Sequence, residues 1–232
     1  WWYPDTYEIN RMLPNLDHLF ARWEQDLFGC QPALLFCEAM PWPFFSELMS
    51  MGYAAYYPMI VVVVLFYFLY RYKDYERASF VVLASFFAYY LVYIFLPVTG
   101  PTFYYNAVGL GNIVNGVFPD VGYHFNYIQD CLATPGYTDG VFYQMVESAK
   151  AAGERPTAAF PSSHVGVSTV LMFLAWHTGN RRFFYILLPF YALLCLSTVY
   201  IQAHYAIDVL AGWATGVPLY FALMWVGKKV CR

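Results

Sequence analysis

Five long apolar runs dominate the chain, at 51–70, 78–96, 164–176, 183–200 and 205–226. Four of them approach the ~20 residues that cross the hydrocarbon core of a bilayer as a helix, and the shorter third is read as a span with them. Polar or helix-breaking segments separate them. Pro41-Trp42-Pro43 breaks the chain before the first run, and Ser46 with Glu47 starts its helix. Arg71 through Arg77 read as a short charged turn. Pro97 and Gly100-Pro101 stop the second run, Thr178-Gly179-Asn180-Arg181-Arg182 joins the third to the fourth, and Lys228-Lys229 closes the fifth. The pattern predicts an all-α polytopic membrane helix bundle with five spans. The chain begins at Trp1 rather than at a methionine, and a sixth span upstream is expected to complete the core.

Two segments do not fit a span. Over 15–28, Leu16, Leu19, Phe20, Trp23 and Leu27 share one helical face, and Asp17, His18, Glu24 and Asp26 lie off it. Asn15 can cap the start and Gly29 the end. This amphipathic helix is expected to lie in the membrane plane, with a soluble helix packed on the membrane domain as the alternative. Residues 98–160 form a long polar excursion, of the length that usually marks function or disorder. One helix is expected in it, from Asp139 as N-cap through 141–150 to Gly153 as C-cap. The chain thus divides into an interfacial segment, 1–45, and a membrane domain, 46–232.

Composition supports this picture. The chain is 60% hydrophobic, 22% aromatic and only 12% charged, whereas soluble domains carry about 25% charge. The abundant Tyr and Trp suit interfacial belts. A net charge of −3 and the lack of a basic stripe give no sign of nucleic-acid binding. Five scattered cysteines show no metal-ligand spacing. Cys30, Cys37 and Cys131 fall on one side of the membrane, where a disulfide is open if that side is oxidising.

Positive charge orients the bundle. Arg71, Lys73, Arg77, Arg181, Arg182, Lys228, Lys229 and Arg232 share one side, which is then cytoplasmic. Arg11, Arg22, Lys150 and Arg155 fall opposite. The 98–160 loop, the amphipathic helix, His164 and His204 are therefore expected on the extracytoplasmic (periplasmic or lumenal) face. Two crossings separate the histidines, so the chain should return them to the same depth.

Candidate chemistry gathers over 155–208. His204 and Asp208 are spaced i, i+4, which makes them neighbours on a helix. A carboxylate there holds one imidazole tautomer and supports the imidazolium, leaving the other ring nitrogen as nucleophile or base. A structural His–Asp pair is the alternative. Pro161-Ser162-Ser163-His164 reads as a helix start with Ser162 or Ser163 as N-cap, and its free N–H groups suit a phosphate oxyanion. His164 could donate a proton there or simply sit at the interface. Lys150 and Arg155 are nearby cations that could neutralise phosphate, or be solvated loop charges. Together the set supplies nucleophile, acid and charge stabilisation.

Pro161-Ser162-Ser163-His164 resembles the Pro-Ser-x-His motif of the type-2 phosphatidic acid phosphatase superfamily. Residues 197–208 resemble its later motif of Ser-Arg, five residues, His, three residues, Asp, with Thr198 in place of the Arg. The first motif of that family, Lys, six residues, Arg-Pro, is matched loosely by Lys150 and Arg155-Pro156. The resemblance implies His204 as nucleophile, Asp208 as its support and His164 as general acid, with no cofactor and no metal. Phe160-Pro161-Ser162, Thr198 before Tyr200, and Gly100-Pro101 are similar to the inositol phosphorylceramide synthase branch. That branch implies transfer of a phospho-headgroup from a phospholipid to a lipid alcohol such as ceramide. Hydrolysis of a phosphatidate-type or isoprenoid phosphate, with water as acceptor, is the alternative. Two other classes stay open: a metal-binding protein using His164, His204, Asp208 and His124, and a non-catalytic lipid-binding or transport protein.

Overall fold

A computed structural model describes residues 2–231. Twelve α-helices and no strand occur among the described residues. Three small helices lead the chain: α1 (Tyr3–Asn10), α2 (Asp17–Phe28) and α3 (Pro32–Ala39). The bundle follows as α4 (Pro43–Ala54), α5 (Tyr56–Tyr70) and α6 (Tyr72–Phe95). The excursion holds α7 (Pro101–Val108), α8 (Leu110–Val114), a 3-10 turn (His124–Asn126) and α9 (Val141–Gly153). α10 (Ser163–His177), α11 (Arg181–Tyr200) and α12 (Ala206–Val230) complete it.

The all-α membrane bundle is therefore what the chain forms, and the protein is an integral membrane protein. Three helices, α6, α11 and α12, are long and apolar enough to cross a bilayer, and α4 with α5, bent by 45°, adds a fourth. α10, expected as a span, has only 15 residues, or about 22 Å at 1.5 Å per residue. Residues 165–172 of α10 are all buried. It packs against α5, α6, α11 and α12, so its environment is protein, which relaxes the length that lipid would demand. A Cβ on Gly212 of α12 would meet the Ser162 carbonyl oxygen at 2.8 Å, and one on Gly216 the Gly166 carbonyl oxygen at 2.8 Å. The small residues let α10 and α12 touch backbone to backbone.

Several local expectations need correction. The 71–77 segment is not a turn: α6 begins at Tyr72, because Arg71 and Arg77 both pair with Asp74 along the first turns. α9 starts at Val141 without an Asp139 cap. Its first N–H groups go instead to Glu47 of α4, which accepts from Phe142 at 2.6 Å and Tyr143 at 3.2 Å. α2 ends at Gly29 with φ 71° as expected, and Asn15 Oδ1 accepts the Asp17 N–H at 3.0 Å. Its acidic residues, however, do not all face solvent. Asp17 and Glu24 are 0% exposed, while Trp23 and Leu27 lie more than half exposed. α2 packs on α12, where Glu24 accepts the Ile207 N–H, and it buries Asp17, Phe20 and Ala21 as well. The five cysteines are free thiols.

Candidate active site

The third-span helix starts where the sequence places it. Ser162 is the N-cap of α10, and its hydroxyl accepts from the Val165 N–H at 3.4 Å. Tyr93, at the end of α6, donates its hydroxyl to the Pro161 carbonyl at 2.9 Å and accepts the Ser163 N–H at 2.9 Å. The Ser162 N–H donates to the Asp208 carbonyl at 3.1 Å. These bonds fix the first turn of α10 and so fix His164. The His164 ring stacks on Tyr53 with centroids 4.8 Å apart and tilts against Tyr56 at 4.5 Å.

His204 is not on a helix with Asp208, as the spacing suggested. It lies in the tight turn between α11 and α12 and is 3% exposed. Its N–H donates to the Thr198 carbonyl at 3.0 Å. Its Nδ1 lies 2.9 Å from the Ala159 carbonyl oxygen and 3.5 Å from Asp208 Oδ2. A carbonyl oxygen only accepts, so Nδ1 carries the proton and Nε2 the lone pair. That Nε2 is 3.3 Å from His164 Nδ1. The two imidazoles, forty residues apart in sequence, therefore meet nitrogen to nitrogen. Burial pushes the His204 imidazole down to about 4, against the opposing pull of the Ala159 carbonyl and Glu154. The ring is thus neutral at ordinary pH, with the Nε2 lone pair unprotonated.

Asp208 is the third residue of α12 and is fully buried. Its Oδ2 accepts the Tyr205 N–H at 2.9 Å. The turn is braced from outside by α2. Glu24 Oε2 accepts the Ile207 N–H at 3.1 Å, and burial pushes the Glu24 carboxyl up to about 8. Two non-glycine residues of positive φ flank the centre, Ala158 (70°) and Gln202 (63°). Such strain collects where a site over-determines the backbone.

The expected phosphate-binding residues are placed unevenly. Lys150 borders a small cleft with Tyr53, Thr102, Thr134, Glu154, Ile201 and Ala203; Tyr53 stacks on His164, and Ala203 precedes His204 in sequence. Its Nζ donates to the Leu132 carbonyl and the Thr134 hydroxyl and pairs with Glu147 at 3.3 Å. Arg155 is exposed, with Nη1 3.5 Å from Gln129 Oε1. Glu154, which sequence reasoning passed over, is raised by burial and has one buried oxygen, Oε2, without a hydrogen bond. Thr198 is fully buried and its hydroxyl bonds back to the Cys195 carbonyl at 2.9 Å. Among the described residues, no three His, Cys, Asp or Glu side chains are grouped to hold a metal ion.

The model of one protein family, described as the PAP2 superfamily, matches residues 18–222. The chain belongs to the PAP2 superfamily. Its chemistry is accordingly of the phosphatase or phosphotransferase type, on lipid in a bilayer. The match takes in α2 from its second residue, His18, onward, together with His164, His204 and Asp208. No curated protein and no solved structure matches the chain.

Proposed function

We propose that this PAP2 protein transfers a phospho-headgroup from a phospholipid to a lipid alcohol through a phosphohistidine, with its site on the extracytoplasmic face. The observation that carries the reading is the 3.3 Å approach of His204 Nε2 to His164 Nδ1, with the Nδ1 proton of His204 already committed to Ala159. In the first half-reaction the Nε2 lone pair attacks phosphorus and the bond from phosphorus to the lipid oxygen breaks. His164, as imidazolium, gives its proton to that leaving alkoxide; an anionic phosphate nearby favours the charged ring. Asp208 and the Ala159 carbonyl stabilise the positive charge developing on His204. In the second half-reaction an acceptor hydroxyl attacks phosphorus, its proton goes to His164, and the P–N electron pair returns to Nε2.

The positive dipole end of α10, at Ser162 and Ser163, favours phosphoryl oxygens beside it, while the Ser162, Ser163 and Val165 N–H groups themselves are bonded within the protein. Lys150 adds charge from the cleft, and Arg155 from its rim. No metal enters the scheme. The reading toward ceramide-type acceptors and an inositol-type headgroup rests on the residues similar to the inositol phosphorylceramide synthase branch: Phe160-Pro161-Ser162, Thr198 and Gly100-Pro101. Hydrolysis uses the same histidines with water as acceptor. Purified protein given a panel of phospholipids, with and without ceramide, separates the two. Appearance of a new phospholipid only with ceramide supports the transferase; free phosphate or phospho-headgroup regardless of ceramide supports the hydrolase. Unaltered turnover in His204→Ala sinks both.

A further inference from the structure

We propose that Asp17 is a positioning residue for His204, so that α2 forms part of the catalytic framework. This rests on the nucleophile reading given above. Asp17 gathers donors from three parts of the chain. Its Oδ2 accepts from the Thr99 N–H at 2.7 Å, the Thr99 hydroxyl at 2.9 Å and Asn15 Nδ2 at 2.6 Å. Its Oδ1 accepts from the Gly100 N–H at 2.8 Å and the Tyr205 hydroxyl at 3.0 Å.

Two of those donor groups, Tyr205 and the Thr99–Gly100 backbone, lead to His204. Tyr205 follows it in sequence, and the Tyr205 N–H holds Asp208 Oδ2, which stands 3.5 Å from the His204 ring. The 98–102 strip beside Asp17 grips the turn and the ring's partner at once. The Ala159 N–H donates to the Val98 carbonyl at 3.0 Å, and the Thr102 N–H to the Gln202 carbonyl at 3.0 Å. Ala159 is the residue whose carbonyl takes the Nδ1 proton. Asp17 therefore clamps both the backbone that carries His204 and the backbone that chooses its tautomer. A carboxylate is the one side chain suited to this, since it accepts at both oxygens. An amide would accept at one and face the other set of donors with its own N–H groups. A purely structural anchor would tie α2 to the bundle at any convenient point; this one converges on the two segments that hold a single imidazole.

The test uses the full chain in detergent, with phosphatidylinositol and a fluorescent short-chain ceramide as probes. Asp17→Asn is expected to lower kcat roughly 10- to 100-fold, the loss that a displacement near 1 Å causes, with KM changed by less than about threefold. The acid limb of its kcat/KM profile should move toward the ordinary histidine value of about 6.5. The groups facing His204 in that profile are His164 from α10, Asp208 from α12 and Glu154 after α9. Tyr205→Phe should move both readouts the same way, less far. Tyr67→Phe is the control: it deletes a buried hydrogen bond to Leu174 within the bundle and should lower thermal stability without touching kcat or the profile. The proposal is overturned if Asp17→Asn behaves like that control. If Asp17→Asn does not fold, unchanged kcat and profile in Tyr205→Phe overturn it instead. Normal turnover in His204→Ala would bring down the nucleophile reading itself, an outcome visible independently of the Asp17 variants.

Discussion

Adding one methyl group at Gly100 tests how rigidly the turn that carries His204 is held. Gly100 has φ 89° and ψ 170°, a region that only glycine adopts readily, and a side chain there costs about 1–3 kcal/mol in backbone strain. A Cβ at this position would also meet the Ala203 carbonyl oxygen at 2.7 Å and the Ala159 Cβ at 3.2 Å. Ala203 is bonded directly to His204, and Ala159 holds its ring. Ordinary contact begins near 3.4 Å, so the turn must retreat by roughly 0.7 Å, an overpacking that costs about 1–3 kcal/mol more. The two effects act on the same backbone, and together they predict a loss of about 2–6 kcal/mol in stability. The retreat would also draw His204 Nε2 away from His164, at a cost of roughly 10- to 100-fold in kcat. Thermal unfolding in detergent and steady-state transfer, on one preparation of Gly100→Ala, read both effects. Turnover within twofold of the unaltered protein, with an unchanged Tm, would refute the claim that this approach sets the histidine.

Other perturbations bear on other parts of the site. Because His204 is held near 4 in the fold against about 6.5 when exposed, the acid limb of kcat/KM should lie well below pH 6.5. The same group contributes stability above pH 6.5 that is lost as pH falls toward 4; unfolding across pH 4–7 checks the sign. Glu24 shows the opposite dependence. With its folded value raised to about 8, it costs stability as pH rises from about 4.5 to 8, at up to roughly 1.4 kcal/mol per pH unit. Glu24→Gln, whose amide oxygen can still accept from Ile207, should flatten that slope and raise Tm at pH 8 more than at pH 5; a parallel shift at both would count against burial as the cause. Lys150→Met should raise KM about tenfold by removing the cleft's cation, and Arg155→Ala, at an exposed position, should change it by less than about threefold; equal effects would move the phosphate to the rim. Chelator treatment should leave turnover intact, and loss restored by zinc would favour the metal-bound alternative.

The bundle was legible because apolar run length needs no knowledge of partners. The histidine pair was legible for a related reason: two crossings between His164 and His204 bring the chain back to one depth, and depth was enough. What the pattern could not supply was the geometry of the turn. Spacing of four put His204 and Asp208 on one helix, but α12 starts only at Ala206, and the ring's proton goes first to a backbone carbonyl, at Ala159, that no sequence pattern marks. The acids of α2 were misread for a physical reason. An amphipathic wheel assumes that the polar face seeks water, whereas Asp17 and Glu24 find their donors in backbone N–H groups of the bundle. Their seven-residue spacing, which sets both on one face, was the available signal. The 98–160 excursion hid α7 and α8 because short helices held by tertiary contacts have weak local patterns.

The most direct measurement is chemical trapping of the intermediate. Purified protein is given phosphatidylinositol labelled in its phosphate, without acceptor, then quenched and digested. The predicted result is acid-labile, base-stable label on the peptide carrying His204, chased into lipid when ceramide is added, and missing from His204→Ala. Label on any other residue, or full transfer by His204→Ala, would contradict the account.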